Sequence, residues 1–329
     1  MRWWLIVAML LLSGGSRAED YPSRPVSLVV AAAAGGPIDI LARIMAERLT
    51  PVLGQNVFVE NVGGAGGTLG GQRVVRARPD GYTVLLGTVA THANPLLYGA
   101  QPPYNPLTDF VNVALIAEIP LILIARKDLI AHTDLPADTA EDFITLAKAN
   151  PGKLSYGSAG IGSASHLGCA MLERALDTKF QHVPYRGTGP AMEDLLAGRI
   201  DFICDIAVTA VPSIKSGTVK GIANLSSARS AVLPDLPTIA EKGYPGAAAS
   251  TWAALFLPKG TSAEIAAKLN AAAQTAMNSP GLTEQLNELA ATLVPVERRS
   301  QAYLSDFVKD EWEKWGVTIR TSASDAIPK

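Results

Sequence analysis

Three loops rich in glycine and other small residues hold the groups of this sequence that could take part in chemistry. They are residues 31–39 (AAAAGGPID), 61–68 (NVGGAGGT) and 157–166 (GSAGIGSASH). Each loop lies between a short apolar run and a segment with helical periodicity, so it ends at a helix N-terminus with free backbone N–H groups. Such groups bind anions, and the small side chains let a carboxylate approach the backbone. The alternative for any single loop is that its glycines only form a tight turn.

Hydrolytic chemistry is the main enzymatic alternative. It would use Ser163 or Ser165 as the nucleophile and His166 or His182 as the base. The sequence has no G-x-S-x-G motif, and adjacent side chains such as Ser165 and His166 normally point apart. A histidine at the start of a helix is more simply a capping or packing residue.

Nucleotide, metal and nucleic-acid chemistry have little support in the sequence. The second loop places Leu69 where a G-x-G-x-x-G motif needs its third glycine, and there is no G-x-x-x-x-G-K-[ST] motif. No H-E-x-x-H, paired C-x-x-C or EF-hand pattern indicates a metal site. The formal net charge of −2 excludes a broad basic surface. We therefore expect no cofactor, no metal ion and no nucleic-acid partner.

The first eighteen residues are typical of a secretory signal peptide. A cationic start (MRWW) precedes an apolar run (LIVAMLLL) and a small-residue end at residues 16–18. The run is too short to span a bilayer, and the alternative is a buried N-terminal helix. Without residues 1–18 we expect an exported, soluble protein.

Export permits a disulfide, and the sequence has two cysteines, Cys169 and Cys204. The first lies in a helical pattern and the second in a strand pattern. We expect two free, buried cysteines, with a disulfide as the alternative.

Strand-like and helix-like segments alternate along the chain, which is typical of a parallel sheet covered by helices. The alternation begins with a strand over 26–30 and starts again near 119. The length of 329 residues suits two domains. Two final helices have no sheet of their own to cover and would return to the first domain. We therefore predict an α/β fold of two lobes, with crossings near 119–126 and 250–257, a first lobe of residues 19–124 plus 251–329, and a second lobe of 125–250.

These loops, in this order, resemble the Bug family of periplasmic solute receptors, the TctC-like binding components of tripartite tricarboxylate transporters. The resemblance covers about residues 21–320. It rests on an ordered set of short strings: YPSRPV at 21–26, GG at 35–36 with Asp39, VEN at 59–61, GAGG at 64–67, PDGYT at 79–83, GT at 87–88, ANPGKL at 149–154, GSASHL at 162–167, HVPYRG at 182–187, LPDLPT at 233–238 and KWG at 314–316.

The resemblance implies a Venus-flytrap receptor that binds and does not catalyse. Its lobes would close on a small organic acid or related carboxylated solute, and its partners would be membrane transport subunits or a membrane sensor. Backbone N–H and hydroxyl groups would hold the carboxylate, and water could bridge its far end. The family's loops map the ligand-binding residues onto Ala33, Gly35, Gly36, Asp39, Asn61, Thr88 and His92 in the first lobe. In the second lobe they map onto Ser158, Gly160, Gly162, Ser163, Ser165, His166, Tyr185 and Asp205.

The chain departs from the family pattern at two places. Ala31 and Ala32 stand where the family usually has proline and an aromatic residue, and NVGG at 61–64 replaces Asn-Arg-Pro-Gly. The first change widens the expected cleft and the second removes a positive charge. Both lead to the hypothesis of a larger or less acidic ligand.

Overall fold

A computed structural model describes residues 21–99, 101–129 and 139–326, and the predicted signal peptide lies outside these ranges. Strands and helices alternate as predicted, so the α/β class is confirmed. The strands are β1 (Val26–Val30), β2 (Val57–Asn61), β3 (Thr83–Thr88), β4 (Phe110–Ala125), β5 (Ser155–Ser158), β6 (Gln181–Pro184), β7 (Phe202–Ile206), β8 (Lys220–Asn224), β9 (Ser250–Pro258) and β10 (Thr292–Leu293). The helices are α1 (Pro37–Leu53), α2 (Thr68–Val75), α3 (Val89–Ala93), α4 (Ala140–Ala149), α5 (Ala164–Leu176), α6 (Thr188–Leu196), α7 (Ala207–Lys215), α8 (Ala263–Met277), α9 (Leu282–Glu288) and α10 (Gln301–Ala326).

The strands form one continuous sheet with the order β2-β1-β3-β9-β4-β7-β5-β6. Strand β1 is parallel to β2 and β3, and β5 is parallel to β6 and β7. Between these two parallel groups, β9 and β4 run antiparallel to each other and to their outer neighbours. Each parallel group presents the carboxyl ends of its strands, and the helix N-termini that follow them, at one edge.

Strand β4 joins the two halves of the sheet. Its residues Phe110–Pro120 pair with β9, whereas Leu121–Ala125 pair with β7 and β8. We call the half with β1, β2, β3, β9 and β10 the first lobe and the half with β5, β6, β7 and β8 the second lobe. The residue boundaries predicted for the lobes stay a prediction.

Local sequence features set both ends of helix α1. Pro37 lies in the first turn, where backbone N–H groups have no acceptor within the helix, so the N–H that proline lacks costs no hydrogen bond. Asp39 adds a favourable negative charge in the same turn. Gly54 ends the helix in the left-handed conformation, with φ 66°. The buried face carries Leu41 and Met45 onto the sheet. The N-terminus of α1 is thereby fixed at the edge of the first lobe.

The long C-terminal helices pack on the first lobe. Helix α8 contacts α1 and β4, and α10 contacts β4 and α3. The indole N–H groups of Trp252 and Trp315 both donate to Glu311 Oε2, at 3.0 and 2.9 Å. One carboxylate thus ties α10 to the start of β9.

Cys169 and Cys204 form a disulfide, so the expectation of two free cysteines is wrong. Helix α5 crosses β7 so closely that the two Cα atoms are 5.5 Å apart, within the range that a disulfide requires. Gly168 permits this approach, because a Cβ atom there would lie 2.5 Å from Leu121 Cδ2. Both sulfur-bearing residues are fully buried. The bond fixes the helix that follows the third small-residue loop to the strand that ends at Ile206.

Replacing both cysteines with alanine should lower the free energy of unfolding by roughly 3–4 kcal/mol, the chain-entropy value for a loop of this length. The cysteines are 35 residues apart in the sequence. Urea unfolding of the oxidised proteins measures the difference. The wild type unfolded in a reductant serves as the control and should match the variant. An unfolding midpoint equal to that of the oxidised wild type would contradict the expectation.

Candidate ligand-binding site

A small cavity of about 50 Å³ lies between the lobes, at the carboxyl ends of their parallel strands. Small and apolar side chains dominate its wall, together with three hydroxyl-bearing residues on the second lobe and one on the first. The first lobe contributes Ala31, Ala32, Ala33, Gly36, Pro37, Ile38, Gly66, Leu86, Thr88 and Ala90. The second lobe contributes Ala159, Ser163, Ala164, Ser165, Arg186, Thr188 and Ile206.

Four helices of eight or more residues have their N-termini at this cavity. The lining includes the residues at the N-terminal ends of α1 (Gly36), α5 (Ser163), α6 (Thr188) and α7 (Ile206). Each such end carries a partial positive charge of roughly half a unit. Among the described lining residues, Arg186 adds a full positive charge and none is acidic. The arrangement favours an anion.

Asp39 shapes the first loop from behind the cavity. Its Oδ2 accepts hydrogen bonds from the backbone N–H of Gly35 and from Arg43 Nε, both at 2.9 Å. Its Oδ1 accepts one from Asn61 Nδ2 at 2.9 Å. Burial raises the pKa of Asp39, but the hydrogen bonds from Arg43, Gly35 and Asn61 outweigh it and hold the pKa below its ordinary value. This ionised carboxylate therefore fixes the loop after β1.

Ser163 and Ser165 line the cavity from the third loop. Ser165 Oγ accepts a hydrogen bond from the backbone N–H of Ala159 at 3.0 Å, and Ser163 Oγ accepts one from that of His166 at 3.3 Å. The two hydroxyls lie 3.1 Å apart, so one donates to the other. The pair uses one of its two hydroxyl protons internally, which leaves the other for a further partner.

The histidines of the second lobe lie behind this loop. His182 Nε2 is 2.6 Å from Ser158 Oγ, and His166 Nδ1 accepts a hydrogen bond from the backbone N–H of Gly162 at 3.1 Å. The two rings are 4.5 Å apart, and burial lowers the pKa of each to about 4. In the described structure neither ring hydrogen-bonds the hydroxyl of Ser163 or Ser165. The nucleophile–base pairs considered for a hydrolase are not assembled.

His92 lies in an aromatic cluster of the first lobe. Its ring is 4.4 Å from that of Phe256 and 5.0 Å from that of Trp252, and its Nδ1 is 3.2 Å from the carbonyl oxygen of Thr88. Burial lowers its pKa to about 3. Its position is that of a core residue below the cavity.

The structure brings some of the predicted site residues to the cavity and leaves others behind it. Those that line the cavity are Ala33, Gly36, Thr88, Ser163 and Ser165. Gly160 and Tyr185 line a neighbouring groove instead. Those outside both linings are Gly35, Asp39, Asn61, His92, Ser158, Gly162, His166 and Asp205.

Sequence reasoning missed Arg186 and Thr188 as lining residues. Both follow strand β6, and Thr188 begins α6, which is the same position relative to strand and helix that singled out the other loops. Pro190 obscures this signal in the sequence, because a proline is typical of the first helical position and so points to a helix start beyond Thr188.

The lobes touch each other across the cavity mouth. Asn94 Nδ2 donates to the carbonyl oxygens of Ala65 at 2.6 Å and Ile161 at 3.3 Å, and so links both lobes. A Cβ atom on Gly66 would collide with the Ile161 carbonyl oxygen and with Asn94 Nδ2. A wider groove of about 850 Å³ opens outside this contact and shares Gly66 and Arg186 with the cavity. The conformation is closed.

Residues 41–323 match the model of the tripartite tricarboxylate transporter family receptor, TctC. The chain belongs to this family. It is 32% identical to the protein BugT of Bordetella pertussis over 327 residues, which cover 97% of this chain and 96% of BugT. The family recognised from the ordered strings is confirmed.

Solved structures of TctC-family proteins have the same fold. The periplasmic binding protein BugD is 39% identical, with a TM-score of 0.86 over 92% of this chain and 99% of BugD. MatC from Rhodopseudomonas palustris, solved with bound malate, is 38% identical, with a TM-score of 0.85 over 91% of this chain and 100% of MatC. The predicted two-lobed periplasmic-binding-protein fold is confirmed.

Two further features are described for residues 21–99, 101–129 and 139–326. Across these residues no helix has both the length and the apolar character needed to cross a membrane. The same residues contain no group of three or more histidine, cysteine or acidic side chains arranged to hold a metal ion.

The variant Gly66→Ala should hold the lobes apart. The added methyl group would meet the Ile161 carbonyl oxygen across the cleft, in addition to roughly 1–2 kcal/mol of left-handed backbone strain at φ 60°. Small-angle scattering, with and without a mixture of malate, succinate and adipate, should give a larger radius of gyration than the wild type with the mixture. Gly152→Ala is the matched control, because φ there is 72° and nothing lies within 4 Å of the new Cβ atom. A compact Gly66→Ala protein would contradict the expectation.

The buried histidines make the fold sensitive to acid. Unfolded histidines have a pKa near 6.5, whereas burial lowers that of His92 to about 3 in the folded chain. The unfolded state therefore binds more protons between these values, so the free energy of unfolding should fall as the pH drops below 6.5.

Replacing His92 with phenylalanine should reduce the pH dependence of stability by about 1 kcal/mol per pH unit between pH 5 and 6. Urea unfolding at pH 5, 6 and 7.5 provides the measurement. Phe110→Leu alters the same aromatic cluster without removing a titrating group, and it should keep the wild-type slope. An unchanged slope in His92→Phe would show that this histidine titrates normally when folded.

Proposed function

We propose that this TctC-family protein is an exported receptor that captures a small carboxylated solute in the cavity between its lobes. The observation that carries the proposal is the convergence of four helix N-termini, from both lobes, on a cavity whose described lining has no acidic side chain. A carboxylate placed there would interact favourably with both lobes at once and so favour the closed form.

Backbone N–H and hydroxyl groups would hold the ligand carboxylate, with Arg186 as the charged residue of the described lining. The donors would include the backbone N–H of Gly36 and the hydroxyl proton of Ser163 or Ser165 that the pair does not use itself. MatC, which shares the fold, was solved with malate, and this supports a carboxylate as the ligand class. Gly35, Asp39, Asn61, Ser158, Gly162 and His166 would act by holding the loops in position.

Binding without catalysis is the function that the geometry favours. An exported serine hydrolase would need Ser163 or Ser165 beside a histidine ring, and the described structure holds both serines on backbone N–H groups instead. The partners would be the membrane subunits of a transporter, or a membrane sensor that binds the closed form. Residues 1–18 would direct export and be removed.

Calorimetry and thermal unfolding against a panel of carboxylates test the proposal. A ligand present at 100 times its dissociation constant should stabilise the protein by about 2.7 kcal/mol. Ser165→Ala should weaken binding about tenfold, the value of one hydrogen bond. Ser216→Ala removes an exposed hydroxyl far from the cavity and should bind like the wild type. Failure of every acidic, amidic and aromatic carboxylate to bind would refute the proposal.

Ester hydrolysis separates the receptor from the hydrolase. The wild type should release no product from aryl esters above the rate of the buffer. Turnover that disappears in Ser163→Ala or Ser165→Ala would favour the enzyme instead.

A further inference from the structure

The cavity between the lobes is too small to enclose most organic acids. Its volume is about 50 Å³. A water-sized group needs roughly 10–15 Å³ on this scale, so the cavity holds roughly four such groups. That is room for a carboxylate and a short piece of the carbon chain attached to it. The rest of a larger solute must lie outside the cavity.

The wider groove adjoins the cavity, because Gly66 of the first lobe and Arg186 of the second line both spaces. Gly66 has no side chain, so Arg186 supplies the side chain at this junction. Arg186 is exposed, and within the described part of the chain no hydrogen bond or ion pair holds its guanidinium. Exposed side chains change rotamer within nanoseconds, so Arg186 can turn aside for a ligand that extends from the cavity into the groove.

The wall of the wider groove is mainly apolar. The volume of about 850 Å³ lies in the range of small-molecule sites. Among the described lining residues Asn94 is polar, Arg186 is charged and none is acidic. Both lobes contribute larger apolar or aromatic side chains, which are Leu97, Tyr98, Ile161, Pro184, Tyr185 and Pro190.

This wall favours an apolar ligand body over a second charged group. Each methylene group that leaves water for the groove should tighten binding about fourfold. A second carboxylate would lose hydration against the same wall, which is unfavourable for a charged group. Arg186 offsets little of that loss, because ion pairs with exposed arginines contribute little in water.

We propose that the protein binds amphipathic monocarboxylates, with the carboxylate in the cavity and an alkyl or aromatic body in the wider groove. The inference rests on the proposed function and narrows its ligand class. Because residues of both lobes line the groove, the ligand body would contact both lobes and add to the stability of the closed form.

The test compares carboxylates that differ in the length and the end group of the chain. Calorimetry is run with butanoate, hexanoate, octanoate and the dicarboxylate suberate, which has as many carbon atoms as octanoate. The wild type should bind octanoate more than about tenfold more tightly than butanoate, since four further methylene groups enter the groove. Suberate should bind more weakly than octanoate, because its second carboxylate meets the apolar wall.

Tyr98 provides the variants, because its ring lines the groove and is 46% exposed, so the fold should tolerate a change there. Tyr98→Asp places a charge in the groove and should lower the ratio of octanoate affinity to butanoate affinity about tenfold. Tyr98→Phe keeps the ring and should retain the ratio. Phe58→Asp is the matched control, because that ring is 45% exposed on strand β2, outside the groove, and the ratio should equal that of the wild type.

Three outcomes overturn the inference and leave the proposed function intact. The first is equal affinity for butanoate and octanoate in the wild type. The second is suberate that binds as tightly as octanoate, which would assign the groove to a second carboxylate. The third is a wild-type ratio in Tyr98→Asp. Absence of binding to all four compounds and to the whole carboxylate panel would refute the proposed function and this inference together.

Discussion

Backbone-to-backbone contact across the cleft is the constraint on which the rest of this structure depends. A Cβ atom on Gly187 would lie 2.8 Å from that of Ala33, and one on Gly63 would lie 3.0 Å from the carbonyl oxygen of Arg186. Larger side chains at these points would hold the lobes apart. The small residues of the loops therefore determine how closely the lobes meet and how small the enclosed cavity is.

A layer of polar side chains behind the cavity fixes the conformation of these loops, whose own residues are mostly small. Asp39 binds Asn61 and the backbone at Gly35, and Ser158 Oγ accepts a hydrogen bond from the backbone N–H of Gly160 at 3.0 Å. Because these groups bind loop backbone and one another, the hydroxyls at the cavity wall retain hydrogen-bonding capacity.

Features set by neighbouring residues could be predicted from the sequence, and features set by distant contacts could not. Helix α1 begins at Pro37 and ends before Gly54 for local reasons, so both ends were predictable. The family strings placed the small-residue loops at the cleft. The sequence indicated β4 only from Ile119, because Asn112 and Glu118 interrupt the apolar pattern of its first half. The disulfide depended on how α5 crosses β7, which no local pattern encodes.

The disulfide between Cys169 and Cys204 also has a consequence for the thermodynamics of binding. It joins α5, which begins beside the serine pair, to the residue next to Asp205. The disulfide therefore fixes the second lobe's share of the cavity wall internally, and in the lobe opening that the proposed function requires this share would move as a unit. Little conformational entropy would be lost within that half when a ligand binds. Most of the entropy cost of binding would then come from restricting the motion of one lobe relative to the other.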